Sequence, residues 1–167
     1  MQTLDKDMAK QTINEAKAEF TRAKDRLVKD LKTTPDDKIN WSPSPTARTP
    51  IECVAHAAMS IEGMQGMFTG KPFPFSGVDE LDQFSRQKES EFKTREKAIG
   101  LLEENSKGYL DWLDTLTPEQ LQSTLDLPFG SFPYAAAITF AADHLRCHAG
   151  QIEYIQTIYG DRDWHMS

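Results

Sequence analysis

The chain has 167 residues, 38% hydrophobic and 27% charged, a composition suited to one globular domain with a substantial core. Its formal net charge of −7 argues against the basic surface that neutralises nucleic-acid phosphates, so we expect no nucleic-acid partner. The polar N-terminus lacks a signal-peptide core, and no segment offers the roughly 20 apolar residues of a membrane helix. We therefore expect a single domain over residues 1–167, located in the cytoplasm, with no membrane partner.

Clusters of proline divide the chain into four long proline-free windows, in which we look for helices because proline breaks them. The second window opens with Thr49, Pro50 and Glu52, which predict a capping box and a helix from Pro50 to about Phe68. The first window carries an apolar stripe at alternating spacings of three and four, which predicts a helix through Ile13, Ala16, Phe20, Ala23, Leu27 and Leu31.

The second half of the chain shows two further helical patterns with a turn-rich segment between them. The start signal "TPEQLQ" at Thr117 predicts a short extra helix, and "STLDLPFGSFPY" predicts a small hairpin or an ordered loop. The last window predicts a helix from about Tyr134 to Tyr159. The third window predicts one helix with its apolar positions at Phe92, Ile99, Leu102, Tyr109, Leu113 and Leu116.

Four amphipathic segments with little strand signal predict an all-α fold, a four-helix bundle. The connections before the second and the fourth helix each span about a dozen residues, longer than tight up-and-down turns need. We therefore expect at least one long crossover connection, with the short hairpin or ordered loop preceding the last helix.

Two histidines lie one helical turn apart in "ADHLRCHAGQIEYI". On the last helix His148 falls on the apolar seam and His144 lies beside it, so both rings project from the same face. This spacing allows one metal ion to be chelated from a single helix, but two packed histidines would give the same pattern. His165 lies near the C-terminus, where we expect a solvated tail residue.

His56, in the small-residue segment "CVAHAA" of the second helix, is the best candidate for a third ligand. It falls away from the strongest apolar arc of its helix and shares a polar side with Glu52, Ser60 and Gly63. That side is either exposed to solvent or lines a cavity at the centre of the bundle. Periodicity alone leaves both interpretations open.

The tryptophan connection "INWSPSPTARTP", the "CVAHAA" segment and "HLRCHAGQIEYI" together resemble the DinB/YfiT-like superfamily. This is a family of bacterial four-helix bundles in which a histidine of the second helix and a late H-x-x-x-H pair form a metal site. The resemblance covers nearly the whole chain in the order and spacing of its elements. It implies that His56, His144 and His148 are the metal ligands.

Three neutral imidazoles leave a divalent ion with its full charge and an open coordination position. An ion in that state activates a water for hydrolysis or deprotonates a thiol for transfer, so either reaction suits the site. Zinc is the expected ion and nickel the alternative. The substrate implied is a small molecule, and the superfamily includes enzymes that transfer low-molecular-weight thiols.

Residues close to the ligands in sequence suggest supporting roles. Glu52, one turn before His56, is a candidate general base, although the capping box gives it a structural role. Asp143 or Gln151 is placed to orient an imidazole, or to lie on the helix surface. We expect Cys53 and Cys147 to be inert thiols in the core.

Three functions fit these patterns. The leading hypothesis is a metal-dependent hydrolase or thiol transferase. One alternative is a metal-binding or stress-response bundle without turnover, and another is a metal-free dimerisation domain in which the late histidines only pack. A homodimer is expected from the general frequency of homo-oligomers, although the sequence indicates no interface.

Overall fold

The computed structural model describes residues 5–165, which form a helical bundle with one small hairpin. Among these residues, four long helices make the bundle, and the remaining elements lie in its connections. In chain order the elements are α1 (Lys6–Thr33), α2 (Pro50–Phe68), α3 (Val78–Glu89), α4 (Arg95–Leu113), α5 (Pro118–Gln122), β1 (Thr124–Leu127), β2 (Gly130–Pro133), α6 (Tyr134–Ala137) and α7 (Phe140–Ile158).

The predicted starts of the helices are confirmed where the signal is local. Thr49 Oγ1 accepts from the Glu52 amide, and Glu52 Oε2 accepts from the Thr49 amide at 2.9 Å, so the predicted capping box begins α2 at Pro50. The same reciprocal arrangement of Thr117 and Gln120 begins the predicted short helix α5. Each cap satisfies amides that the first helical turn leaves without an intrahelical acceptor.

The four long helices pack as a ring in the order α1, α4, α2, α7. Consecutive long helices, α1 with α2 and α4 with α7, are therefore placed across the bundle from each other. The two connections between these pairs, residues 34–49 and 114–139, cross the end of the bundle instead of joining neighbours. This confirms the predicted four-helix bundle with a long crossover connection.

The core is continuous along the bundle and contains the whole predicted stripe of α1. Phe20 stacks on Tyr109 with ring centroids 5.0 Å apart, and the Tyr109 hydroxyl donates to the Ile138 carbonyl at 2.8 Å. Fully buried alanines of α2 let α4 and α7 approach it closely: Ala55, Ala57 and Ala58. The core therefore brings α2 and α7, which carry the candidate ligands, into direct contact.

The region between α2 and α4 corrects the sequence prediction. The predicted third helix with its stripe from Phe92 to Leu116 spans only Arg95–Leu113, where Thr94 Oγ1 caps the start. Before it lies a separate helix, α3, which the apolar pattern did not predict because only Ser85 and Glu89 of it are buried. Helices that bury so little apolar surface leave no hydrophobic periodicity to detect.

The last window also differs from the prediction in one respect. The predicted helix from Tyr134 to Tyr159 is interrupted after Ala137, so that a short helix α6 precedes α7. The predicted hairpin is confirmed: β1 pairs antiparallel with β2, with Leu125 opposite Phe132. Trp41 packs edge-on against Tyr159 with centroids 6.2 Å apart, which anchors the first long connection to the end of α7.

Candidate metal centre

Three imidazoles from α2 and α7 meet at one point. The ring centroids of His144 and His148 are 4.5 Å apart, and the His56 ring lies 5.2 Å from His144 and 4.8 Å from His148. One candidate ligand atom from each residue lies within 4.8 Å of the others. The structure therefore brings together the three histidines that the sequence singled out and resolves the two interpretations of His56, whose ring faces the other two imidazoles.

Hydrogen bonds at Nδ1 fix the rings of His148 and His56. His148 Nδ1 lies 2.8 Å from Gln151 Oε1, and His56 Nδ1 lies 2.6 Å from Glu89 Oε1. Because an amide or carboxylate oxygen only accepts, each Nδ1 carries the proton, and in the neutral ring the lone pair is on Nε2. Ser60 Oγ lies 3.4 Å from Nε2 of His56. The suggestion that Gln151 orients an imidazole is confirmed.

The two inner nitrogens of the α7 pair lie at a separation that suits a shared divalent ion. His144 Nε2 and His148 Nε2 are only 3.1 Å apart, a contact that needs either a shared proton or a cation between two lone pairs. Tetrahedral zinc sites combine imidazole nitrogens with short metal–ligand distances, and three such ligands with an open position are typical of catalytic zinc. The donor set therefore fits a mononuclear ion.

Burial keeps the α7 pair unprotonated near neutral pH. Desolvation, with a smaller contribution from the neighbouring His56, lowers the pKa of His144 to about 4. Desolvation also lowers the pKa of His148 to about 3, and the adjacent His144 adds to the effect. Neutral imidazole is the form that donates a lone pair to a metal, so the α7 pair is ready to bind without losing a proton.

Glu89 and Arg48 form a buried ion pair behind His56. Arg48 Nε donates to Glu89 Oε2 at 2.7 Å and Arg48 Nη2 to Oε1 at 3.0 Å, while the Glu89 side chain is only 1% exposed. Burial alone would raise the pKa of Glu89, but the hydrogen bonds from His56 and Arg48 outweigh it and hold the pKa below its usual range. The carboxylate at His56 is therefore ionised.

Sequence reasoning missed both residues of this ion pair. Glu89 ends the polar helix α3, and Arg48 lies in the first long connection, 41 positions away. One signal for α3 was present: acidic residues in its first turn and basic residues in its last, which complement the helix dipole. Nothing in the sequence indicated that Glu89 reaches His56.

The other predicted supporting residues have different outcomes. Glu52 is engaged by the Thr49 amide in the capping box, and its role as a general base stays a prediction. Asp143 pairs with Arg146 on the helix surface, which leaves the orienting role to Gln151.

The two cysteines do not behave alike. Cys53 is buried, and desolvation raises its pKa to about 12, so its thiol is inert as predicted. Its sulfur lies 3.7 Å from Gln151 Oε1, the atom that also contacts His148 Nδ1. Cys147 is exposed, which corrects the expectation of a core thiol, because it faces outward between two inward-facing histidines of α7.

His165 is the fourth histidine and lies outside the cluster. Its Nε2 is 3.0 Å from Asp161 Oδ2 and its side chain is 20% exposed, so the predicted solvated tail residue is wrong. It borders a cavity of about 510 Å³ that also contacts Arg26 and Glu153 and none of the other histidines. In that cavity Arg26 pairs with Glu153 and His165 with Asp161, whereas three imidazoles converge at the metal centre, which is therefore the stronger functional candidate.

Comparison with known proteins agrees with this geometry. The family profile of the DinB superfamily matches residues 19–152, a range that includes all three clustered histidines. The chain belongs to the DinB superfamily. No curated protein sequence gives a match. Within residues 5–165, no helix combines the length and the apolar character that crossing a bilayer requires.

Solved structures of the same fold include the three proteins described next. The sibling lethal factor precursor DfsB has a TM-score of 0.68 and 22% identity over 89% of this chain and 97% of its own. YfiT from Bacillus subtilis, described as a probable metal-dependent hydrolase with an unusual four-helix bundle topology, has a TM-score of 0.68 and 17% identity over 96% and 92%. The colibactin self-resistance protein ClbS, solved with a double-stranded DNA, has a TM-score of 0.60 and 16% identity over 92% and 96%. At these identities the likeness shows the fold.

Proposed function

We propose that this DinB-superfamily protein is a metal-dependent enzyme with one divalent ion bound by His56, His144 and His148. The observation that carries the proposal is the convergence of three imidazole nitrogens within 4.8 Å of one another. The likeness to YfiT, described as a probable metal-dependent hydrolase, supports it. Zinc is the ion we expect, and nickel is the alternative, since both suit imidazole ligands.

The chemistry that we propose is hydrolysis of a small molecule or transfer of a low-molecular-weight thiol to it. A divalent ion supplies a Lewis acid that lowers the pKa of a bound water or thiol. The groups around the proposed ion do not offset its charge, because Glu89 is balanced by Arg48 and the lowered pKa values of His144 and His148 keep the α7 pair neutral. The ion's positive charge therefore stays uncompensated, which favours an anionic partner such as a thiolate.

Metal analysis of protein purified without a polyhistidine tag tests the proposal. We expect close to one zinc or nickel per chain in the wild type and in His165→Ala, whose histidine lies outside the cluster. His144→Ala should lose the metal. Equal metal content in all three proteins would contradict the proposed site, because the cluster would then be irrelevant to binding.

A non-catalytic metal-binding role is the second candidate, and a specific observation favours it. The carboxylate at His56 and the predicted general base are both already engaged, Glu89 by Arg48 and His56, and Glu52 by the Thr49 amide. Neither is free to act as a general base in this arrangement. Assays of metal-loaded protein with ester and amide panels, and with thiol cofactors plus electrophiles, separate the candidates, since one metal-dependent turnover rules out the passive role.

Three further expectations stay predictions. The homodimer, the metal-free dimerisation domain and the cytoplasmic location rest on the sequence alone. The expected lack of a nucleic-acid partner rests on the charge of −7, and the structure of ClbS with DNA weighs against it. Binding of a labelled duplex at low salt, where phosphate contacts are strongest, tests that expectation directly.

A further inference from the structure

Glu89 is an unusual residue for the helix that carries it. Helix α3 is polar, and its buried positions are Ser85 and Glu89. A buried carboxylate costs several kcal/mol unless charged partners and hydrogen bonds compensate for the lost water. Glu89 has such partners on both sides, Arg48 from the first long connection and His56 from α2. Three separate elements therefore meet at this one carboxylate.

The geometry of these contacts is directed at the His56 ring. Glu89 Oε1 accepts from His56 Nδ1 at 2.6 Å, and the same oxygen accepts from Arg48 Nη2 at 3.0 Å. With Nδ1 held on the Glu89 side, Nε2 is the nitrogen left to bind an ion, with the Ser60 hydroxyl 3.4 Å away from it. Arg48 Nη2 also donates to Asp82 Oδ1 at 3.3 Å, and Asp82 lies on α3 like Glu89. These contacts let the arginine hold the Glu89 carboxylate in place.

We propose that Glu89 is the positioning residue of the three-histidine centre, an inference that rests on the proposed function. Glu89 fixes the tautomer and orientation of His56 so that Nε2 faces His144 and His148, and its negative charge makes that nitrogen a better donor. Arg48 keeps Glu89 ionised and oriented. Two of the three ligands then have different supports: a carboxylate for His56 and the Gln151 amide for His148.

A purely structural role for Glu89 makes a different prediction. If the carboxylate served only to attach α3 to the bundle through Arg48, its replacement would lower stability and leave the metal centre unchanged. The measurement must therefore report on the bound ion itself. Cobalt(II) is suitable because it substitutes for zinc and its visible absorption depends on the ligands around it.

The experiment titrates Co²⁺ into tag-free wild type, Glu89→Gln and Asp82→Asn, recording affinity and the visible spectrum. Glu89→Gln keeps the shape of the side chain and removes its charge, and we expect a 10- to 100-fold weaker affinity, roughly the range seen for outer ligand partners, with an altered spectrum. Asp82→Asn lies on the same helix and changes an outer contact of Arg48 together with the surface pair of Asp82 and Arg86. It should stay within about twofold of the wild type with the same spectrum.

A second variant guards against loss of fold. Glu89→Gln leaves Arg48 without its main partner, so the double variant Arg48→Met, Glu89→Gln removes both charges together. We expect the double variant to regain stability and still bind Co²⁺ 10- to 100-fold more weakly. If wild type binds Co²⁺ and both Glu89 variants bind it equally well with the same spectrum, this inference fails alone. If wild type binds no Co²⁺, the proposed site fails with it.

Discussion

His56 and His165 each lie within hydrogen-bond distance of a carboxylate, but the two pairs are built differently. His56 contacts Glu89, which comes from a different helix 33 positions away and is 1% exposed. His165 contacts Asp161, four positions earlier in the chain, with the 73% exposed Asp163 beside it. One pair joins distant elements in the interior, whereas the other is a local turn.

This difference shows what distinguishes a candidate metal site from an isolated polar contact. The far side of the His56 ring faces two more imidazoles, and the charge of Glu89 is balanced by Arg48. The packing of α2, α3 and α7 holds these groups in place. The site therefore depends on the fold of the whole bundle. A local pair such as His165 with Asp161 needs no such support, and nothing converges on it to bind an ion.

Stabilisation by zinc should show the largest difference between His56 and His165. We expect zinc at about a thousand times its Kd to raise the free energy of unfolding by roughly 4 kcal/mol, because it binds only the folded state. Thermal melts with and without a chelator measure the effect. His56→Ala should abolish it and His165→Ala should preserve it. Equal loss in the two variants would remove the distinction between the pairs.

Breaking the buried network should have the next largest effect. Arg48→Met leaves the ionised Glu89 in the interior with only His56 as a partner, and we expect a loss of about 3 kcal/mol in the free energy of unfolding. Urea denaturation of the metal-free protein measures it. A loss below about 1 kcal/mol would mean that solvent reaches Glu89.

Acid should weaken the metal-free fold through the α7 histidines. The pKa values of His144 and His148, about 4 and about 3 in the folded chain, lie below the ordinary value of about 6.5. The unfolded chain therefore binds more protons as the pH falls from 6.5 to 4, and stability falls by up to about 1.4 kcal/mol per pH unit for each histidine.

The control for this prediction is a difference curve. Burial raises the pKa of Asp30 from 3.8 to about 7, so this residue contributes in the opposite direction throughout the same range. Urea denaturation of wild type and of the double variant His144→Ala, His148→Ala between pH 4 and 7 cancels that contribution. We expect the wild type to lose stability more steeply, and parallel curves would show that the histidines do not titrate this way.

The smallest effect is expected at the local pair. Asp161→Asn removes the charge of the half-buried local partner of His165, and pairs within one turn near the surface contribute little. We expect both the free energy of unfolding and the zinc affinity to change by less than about 0.5 kcal/mol. A larger change would show that the C-terminal turn is coupled to the bundle and would weaken the contrast with His56.

The elements predicted from the sequence are those whose signals are local. The Thr49 capping box and the α1 stripe depend on residues within a few positions of each other, and both are confirmed. Helix α3 was missed because it buries a single carboxylate in place of an apolar face. The interruption after Ala137 was missed because the helical pattern continues through it.

The candidate site divides in the same way. The spacing of His144 and His148 placed both rings on one face of a helix, since that needs only helical geometry. For His56, periodicity gave the angle around α2 but not the position of α7, so the sequence alone could not choose between solvent and the bundle interior. Glu89 and Arg48 reach the site through contacts across 33 and 41 positions, which no local pattern encodes.

The central claim is that one divalent ion joins two helices of the bundle through three imidazoles. Anomalous diffraction at the zinc edge, from crystals of tag-free protein grown with zinc, tests it most directly. We predict one peak about 2.0–2.1 Å from a nitrogen of each of His56, His144 and His148. A peak bound elsewhere, or no peak between these rings, would contradict the account.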